Sequence, residues 1–240
     1  WRLCFFLPGI FCFGYGVAFI IALREDGTSR VAASGTGRTG FAPNWKLALG
    51  AMMLSTSSGG FIFGAMTFVV PRYFEISMTS ISTSVAISGL LASLVYATAS
   101  FSQIGVGWLI DRFSPKWVLF SLGLGQILFI FLAAQYTDYV LFFAMLVAMS
   151  FVFGQIPITD TILSRYVPDE WRAKALSVKF MLNLTIGATV LPICGVILQS
   201  GSPMSSLFTL MSAVAIVVAL SGLMLPQQAD DQRRDMMPAE

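Results

Sequence analysis

Seven stretches of the chain, residues 1–23, 46–70, 80–107, 115–134, 139–164, 173–199 and 203–225, are each apolar over a length that crosses a bilayer. None follows the two-residue alternation of a barrel strand. Inside hydrocarbon an open backbone hydrogen-bonding group finds no water, so runs of this kind are predicted as α-helices. The expected fold class is all-α, a polytopic membrane protein with seven transmembrane helices. Composition points the same way, since 240 residues that are 56% hydrophobic and 11% charged, with a mean hydropathy of +0.80, are too apolar for a soluble domain. Soluble enzyme folds are excluded.

The charges are few, and their placement is informative. Fourteen Lys and Arg against 12 Asp and Glu leave no basic footprint for nucleic acid, and the expected partners are the lipid bilayer and a small-molecule substrate. There is no His, and Cys4, Cys12 and Cys194 stand singly in apolar runs, so no metal, cofactor or disulfide framework is expected. No carboxylate pair, Ser with a base, or metal cluster suited to intramembrane hydrolysis is visible, and the chain is not read as an enzyme. Cytoplasmic loops carry the excess of basic residues. One set of connections and flanks holds Arg24, Arg30, Arg38, Lys46, Arg112, Lys116, Arg165, Arg172, Lys174, Lys179, Arg233 and Arg234, while the other holds Arg2 and Arg72. The first set is assigned to the cytoplasm, which places the C-terminal tail inside and Trp1 outside in a cell (inner) membrane. The first run is too long for a signal-peptide h-region and lacks a small-x-small cleavage site, so it reads as a retained helix. A chain opening on Trp within an apolar run is expected to be a fragment.

Residues 24–45, rich in Gly, Ser, Thr and Arg, form the one long connection and read as a flexible cytoplasmic linker. Gly35, Gly37 and Gly40 within it spell GxGxxG, but no strand precedes them and no helix opens on them, so no dinucleotide site is read. After the third span comes Gly107-Trp108-Leu109-Ile110-Asp111-Arg112-Phe113-Ser114-Pro115-Lys116, a tight turn between antiparallel helices. Gly105 and Gly107 are expected to allow close backbone approach, Asp111 to meet a helix N-terminus or an Arg, and Arg112 and Lys116 to hold the turn at an anionic surface.

This run resembles the signature loop of the major facilitator superfamily, Gly-x-Leu-x-Asp-Arg-x-Gly-Arg-Lys, with Ser114 where Gly is usual and Pro115 where a basic residue is common. In that family the loop lies between helices two and three and recurs between eight and nine. Two helices stand between the linker and the motif and four follow the motif, which is similar to the second copy. A second similarity, Tyr166-Val-Pro-Asp-Glu-Trp-Arg172-Ala-Lys174, looks like the family's basic turn between helices ten and eleven. The resemblance implies that residues 1–23 are the last helix of an N-terminal bundle, 24–45 the central loop, 46–225 a six-helix C-terminal bundle and 226–240 a cytoplasmic tail. It implies a secondary transporter working by alternating access, proton-coupled, whose remaining N-terminal bundle belongs to the same or another chain. More loosely, Pro71-Arg72-Tyr73-Phe74-Glu75 and Gln155-Ile-Pro157 are similar to fosmidomycin-resistance-type exporters, so efflux enters by analogy. The rival reading is a membrane component that transports nothing by itself, or a split half.

Candidate pathway residues follow from polarity within the spans. Ser93, Tyr96, Ser100 and Gln103, extended by Gly107, make one polar helical stripe that lines either a cavity or a helix seam. The first and fourth spans, nearly pure hydrocarbon apart from Tyr15, Ser121 and Gln126, read as outer supports. The run from Ser55 to Gly60, with Gly60 and Gly64 as GxxxG, serves close packing or a bend, and Pro157 and Pro192 invite the same two readings. Charge inside the membrane is costly unless paired or hydrated. Asp160 and Lys179 are accordingly either structural, as an ion pair or with Lys179 snorkelling near the interface, or a proton-coupling carboxylate with Gln155, Thr159, Lys179 and Asn183 as polar neighbours. Resemblance to the family's charge relay implies that Asp111 and Arg165 latch helix ends in one access state.

Overall fold

The computed structural model describes residues 2–25, 40–80 and 84–226. These contain seven helices, α1 (Arg2–Glu25), α2 (Trp45–Ser77), α3 (Val85–Arg112), α4 (Pro115–Gln135), α5 (Asp138–Tyr166), α6 (Asp169–Gln199) and α7 (Ser205–Met224), and no strand. Each helix is long and apolar enough to cross a membrane. The protein is an all-α, multi-pass membrane protein. Gly35 and Gly37 of the glycine pattern, Arg30 and Arg38 of the linker, and Arg233 and Arg234 of the tail lie outside the described residues.

Helix α1 is a unit of its own. Its sequence is apolar on every side, as befits a helix solvated by hydrocarbon. The six remaining helices form the second unit. In it α4 packs most extensively on α7, α3 on α5, and α2 touches α3, α5, α6 and α7. Without a hydrophobic drive between helices in lipid, such contacts depend on close backbone approach. The α4–α7 seam shows how that is achieved. A Cβ on Gly123 would lie 2.6 Å from the backbone nitrogen of Ala219, and one on Gly222 would lie 2.8 Å from that of Phe120. Only hydrogen fits at either position.

Several element boundaries differ from the sequence expectation, α3 by five residues at each end, and those of α2 have a visible cause. Helix α2 does not stop at Val70 but continues through Pro71 to Ser77. Proline removes the hydrogen bond to the carbonyl four residues back, here Thr67, and the Tyr96 hydroxyl of α3 donates to that carbonyl and to Met66 O at 3.4 Å each. The extension also buries Tyr73 and Phe74; the Tyr73 hydroxyl donates to Ala133 O of α4 at 3.2 Å and its ring lies 4.5 Å from that of Phe208. Burial and cross-helix bonds therefore carry the helix past its proline. At the other end of α2, the expected linker gives way to the bundle before residue 45. The Ala42 N–H donates to Tyr166 O at 3.2 Å, and Phe41 stacks on Trp45 with ring centroids 4.3 Å apart.

Candidate functional site

Three helices of the bundle enclose a cavity of about 150 Å³. Helix α2 contributes Thr56, Gly59, Gly60 and Phe63, α5 contributes Val152, Gln155, Ile156 and Thr159, and α6 contributes Lys179, Phe180 and Asn183. The glycines of α2 make room for the polar side chains opposite them. A Cβ on Gly59 would lie 2.6 Å from Gln155 Nε2, and one on Gly60 would collide with Asn183 Oδ1. One turn on, Gly64 meets Gly187 Cα and Val190 of α6. The Gly60/Gly64 pair is thus a close-packing surface against α6, and it fixes Asn183 in the cavity wall.

At a rise of 1.5 Å per residue, Asp160 lies about 9 Å from the end of α5 and Lys179 about 15 Å from the start of α6. The α5–α6 turn brings both to one end of the cavity. Lys179 Nζ donates to Asp160 Oδ1 at 2.5 Å and to Thr159 Oγ1 at 2.8 Å. The pair is asymmetric, with 7% of the Lys179 side chain exposed against 42% of that of Asp160. The snorkelling expectation for Lys179 gives way to burial, because Thr159 and Asp160 satisfy the ammonium inside the bundle.

Three hydrogen bonds to two neighbours hold the Gln155 side chain. Its Nε2 donates to Ser55 O at 2.9 Å and to Ser55 Oγ at 2.8 Å, and its Oε1 accepts from Gln126 Nε2 of α4 at 3.0 Å. Gln126, fully buried, also donates to Phe151 O at 3.3 Å. Helix α4 is therefore more than an apolar support, although it does not line the cavity. Thr56 is a different case. Its Oγ1 is buried without a hydrogen-bond partner, at a residue of the cavity wall.

The structure brings Gln155, Thr159, Asp160, Lys179 and Asn183 together and leaves the stripe on α3 elsewhere. Tyr96 serves the α2–α3 seam, the Ser93 and Ser100 hydroxyls return to carbonyls of their own helix, and neither Ser100 nor Gln103 lines the cavity. The hydroxyl that joins α3 to α5 is Ser102, which donates to Ser150 O at 2.7 Å. Gly105 and Gly107 correct an expectation, for they lie within α3, which continues to Arg112, and nothing lies within 4 Å of a Cβ at either; α3 meets α5 through Ser102 and Val106 instead. Arg112 stacks on Trp108, 4.3 Å from its ring centroid, Lys116 is partly exposed, and Asp111 is exposed. Arg165 donates to Ile110 O at 3.3 Å, one residue from Asp111. Thr56, Phe63 and Phe180 are wall residues that polarity in the sequence did not single out; the uninterrupted polar run from Ser55 to Ser58 was the available signal for the first.

The model of the Major Facilitator Superfamily matches residues 75–235. The chain belongs to this family. No curated protein matches it. Among solved structures, this major-facilitator chain is similar to a variant of the E. coli fucose:proton symporter FucP, with a TM-score of 0.60 at 17% identity over 76% of this chain and 43% of that one. It is equally similar to FucP described as a Major Facilitator Superfamily transporter in the outward conformation, with a TM-score of 0.60 at 16% identity over 76% of this chain and 42% of the other. At that identity the likeness concerns the fold, and the chain spans less than half the length of either structure.

Proposed function

We propose that this chain supplies the C-terminal bundle of a secondary active transporter that moves a small organic solute by alternating access and couples it to protons. The observation that carries the reading is Lys179 in the wall of a cavity between α2, α5 and α6, paired with Asp160 beside it. An intramembrane charge pair is expensive to maintain and marks a pathway or a relay more often than a scaffold. Asp160, the more exposed member of the pair, is assigned as the coupling carboxylate. Membership of the superfamily supports transport, and the fold shared with a proton symporter supports proton coupling. In this reading the N-terminal bundle comes from further residues of the same polypeptide or from a partner chain. The protein sits in the cell membrane with its C-terminus in the cytoplasm, an orientation supported by the basic loops. No cofactor is required beyond the coupling proton.

The test is reconstitution of the complete reading frame into proteoliposomes, with solute-dependent proton flux measured against a panel of drugs, organic acids and sugars. Asp160→Asn is expected to abolish solute-driven proton movement while leaving insertion intact. Proton-coupled transport that survives Asp160→Asn refutes the assignment of the coupling group.

A further inference from the structure

Resting on the transporter reading above, we infer that Thr56 and Asn183 select the solute, and that it is uncharged, with an amide or hydroxyl group between these two side chains and a short apolar body against Phe63 and Phe180.

The polar side chains of the cavity wall are Thr56, Gln155, Thr159, Lys179 and Asn183, and the protein itself engages three of them. Gln155 gives its Nε2 hydrogens to Ser55 and accepts from Gln126. Thr159 accepts from Lys179 and donates to Ile156 O at 2.9 Å. Lys179 has its counter-charge in Asp160. Thr56 and Asn183 remain. Thr56 is 6% exposed and its Oγ1 meets no partner, although a hydroxyl on a helix can bond the carbonyl one turn back, as that of the adjacent Ser57 does to Met53 O at 2.8 Å. Burying a hydroxyl in this way is unfavourable unless something outside the bundle completes it. Asn183 turns Oδ1 toward Gly60 and makes no side-chain hydrogen bond among the described residues, so the Nδ2 donors are unengaged.

The two groups are close enough to serve one small molecule. Gly60 faces Asn183 and Gly64 faces Gly187, so α2 and α6 run past each other in parallel, and Thr56 stands one turn of α2, about 6 Å, from the level of Asn183. A threonine hydroxyl both donates and accepts and the Asn183 Nδ2 donates, a set that an alcohol or a primary amide complements. Charge points the same way. With Lys179 paired, no other ionisable side chain lines the cavity from α2, α5 or α6. A solute with a net charge would stay uncompensated against this wall, at a cost that an uncharged one avoids. Phe63 of α2 and Phe180 of α6 supply the apolar surface.

The experiment titrates the full-length protein that carries this chain, held in nanodiscs, with probes built on one ring: benzamide and benzyl alcohol, toluene without a polar group, and the charged benzoate and benzylamine. Benzamide or benzyl alcohol should bind saturably, with benzoate and benzylamine at least about tenfold weaker, one charge-assisted hydrogen bond's worth of discrimination. Thr56→Val and Asn183→Leu, both close to the native shape, should each weaken that binding about fivefold, the worth of a hydrogen bond between uncharged groups, and leave toluene unaffected. Thr56→Ser should retain it. The unfolding midpoint gives a readout that a structural hydroxyl would move the other way: Thr56→Val should leave it unchanged or raised, since a methyl replaces a group without a partner. The inference is overturned if neither uncharged probe binds saturably, if a charged probe binds as well as they do, if binding survives both substitutions, or if Thr56→Val unfolds earlier. Thr56-dependent binding without flux in proteoliposomes would remove the transporter and keep the site, whereas flux of an organic acid or amine untouched by Thr56→Val would remove the site and keep the transporter.

Discussion

Lys179 and Asp160 share one hydrogen bond, yet removing either has a different consequence because only Asp160 is exposed beyond the bundle. Asp160→Ala strands an ammonium whose side chain is 7% exposed, and is expected to destabilise the bundle by about 3 kcal/mol, the range found when one partner of a buried pair is deleted. Lys179→Met leaves a carboxylate that is 42% exposed, so the loss should be smaller, about 1 kcal/mol or less. Unfolding of the two variants in detergent measures the difference, and equal losses would contradict the asymmetry. The pair itself was legible in the sequence, since charge within a span is rare enough to stand out. Gln155 and Asn183 were legible as its neighbours, on the same helices within a turn or two. Tyr96, Ser100 and Gln103 were a different matter: helical spacing puts residues on one face but does not say which helix that face meets. Thr56 was hidden for the opposite reason, as one hydroxyl in a run of small residues that packing alone would explain.

At the scale of elements, the bundle is organised by where backbones touch. Gly123→Val must force α4 from α7, since the new Cβ would fall 2.6 Å from Ala219 N and 2.7 Å from its Cα, and backbone cannot rotate away as a side chain can. The expected loss is about 3 kcal/mol, at the upper end of overpacking penalties, read as a lowered unfolding midpoint. Gly107→Ala is the control. With open space around it, the substitution should change stability by about 0.5 kcal/mol or less. A reversed order would mean that Gly107 of α3, and not the α4–α7 seam, sets the packing. Glycines are equally visible in both places in the sequence, and the loop motif gave Gly107 the greater prominence. What distinguishes them is the partner helix, and that depends on the tertiary arrangement of α3 against α5 and α4 against α7. Span number and order were readable because hydropathy is local. The run of α2 through Pro71 was not, because it depends on Tyr96 and Ala133 from two other helices.

For the whole molecule, the question is what the charged end of the bundle does while the cavity opens and closes. Asp111 is exposed at the end of α3, and Arg165, from the end of α5, hydrogen-bonds the adjacent carbonyl of Ile110 at 3.3 Å. The Arg165 side chain thus joins the α3 and α5 ends through a backbone carbonyl, and on the alternating-access proposal the Asp111 carboxylate would meet its partner in another access state. A latch of this kind acts on the equilibrium between two conformations, and its removal changes populations by no more than the free energy the contact contributes. An exposed ion pair is worth up to about 1 kcal/mol, so Asp111→Ala is expected to slow solute turnover by about fivefold, leaving insertion, stability and solute affinity unchanged. Turnover in proteoliposomes, alongside binding in detergent, separates these quantities. An unchanged rate would remove Asp111 from the gating cycle, while a weakened affinity would mean that the turn acts on the cavity of α2, α5 and α6 and not on the exchange between access states.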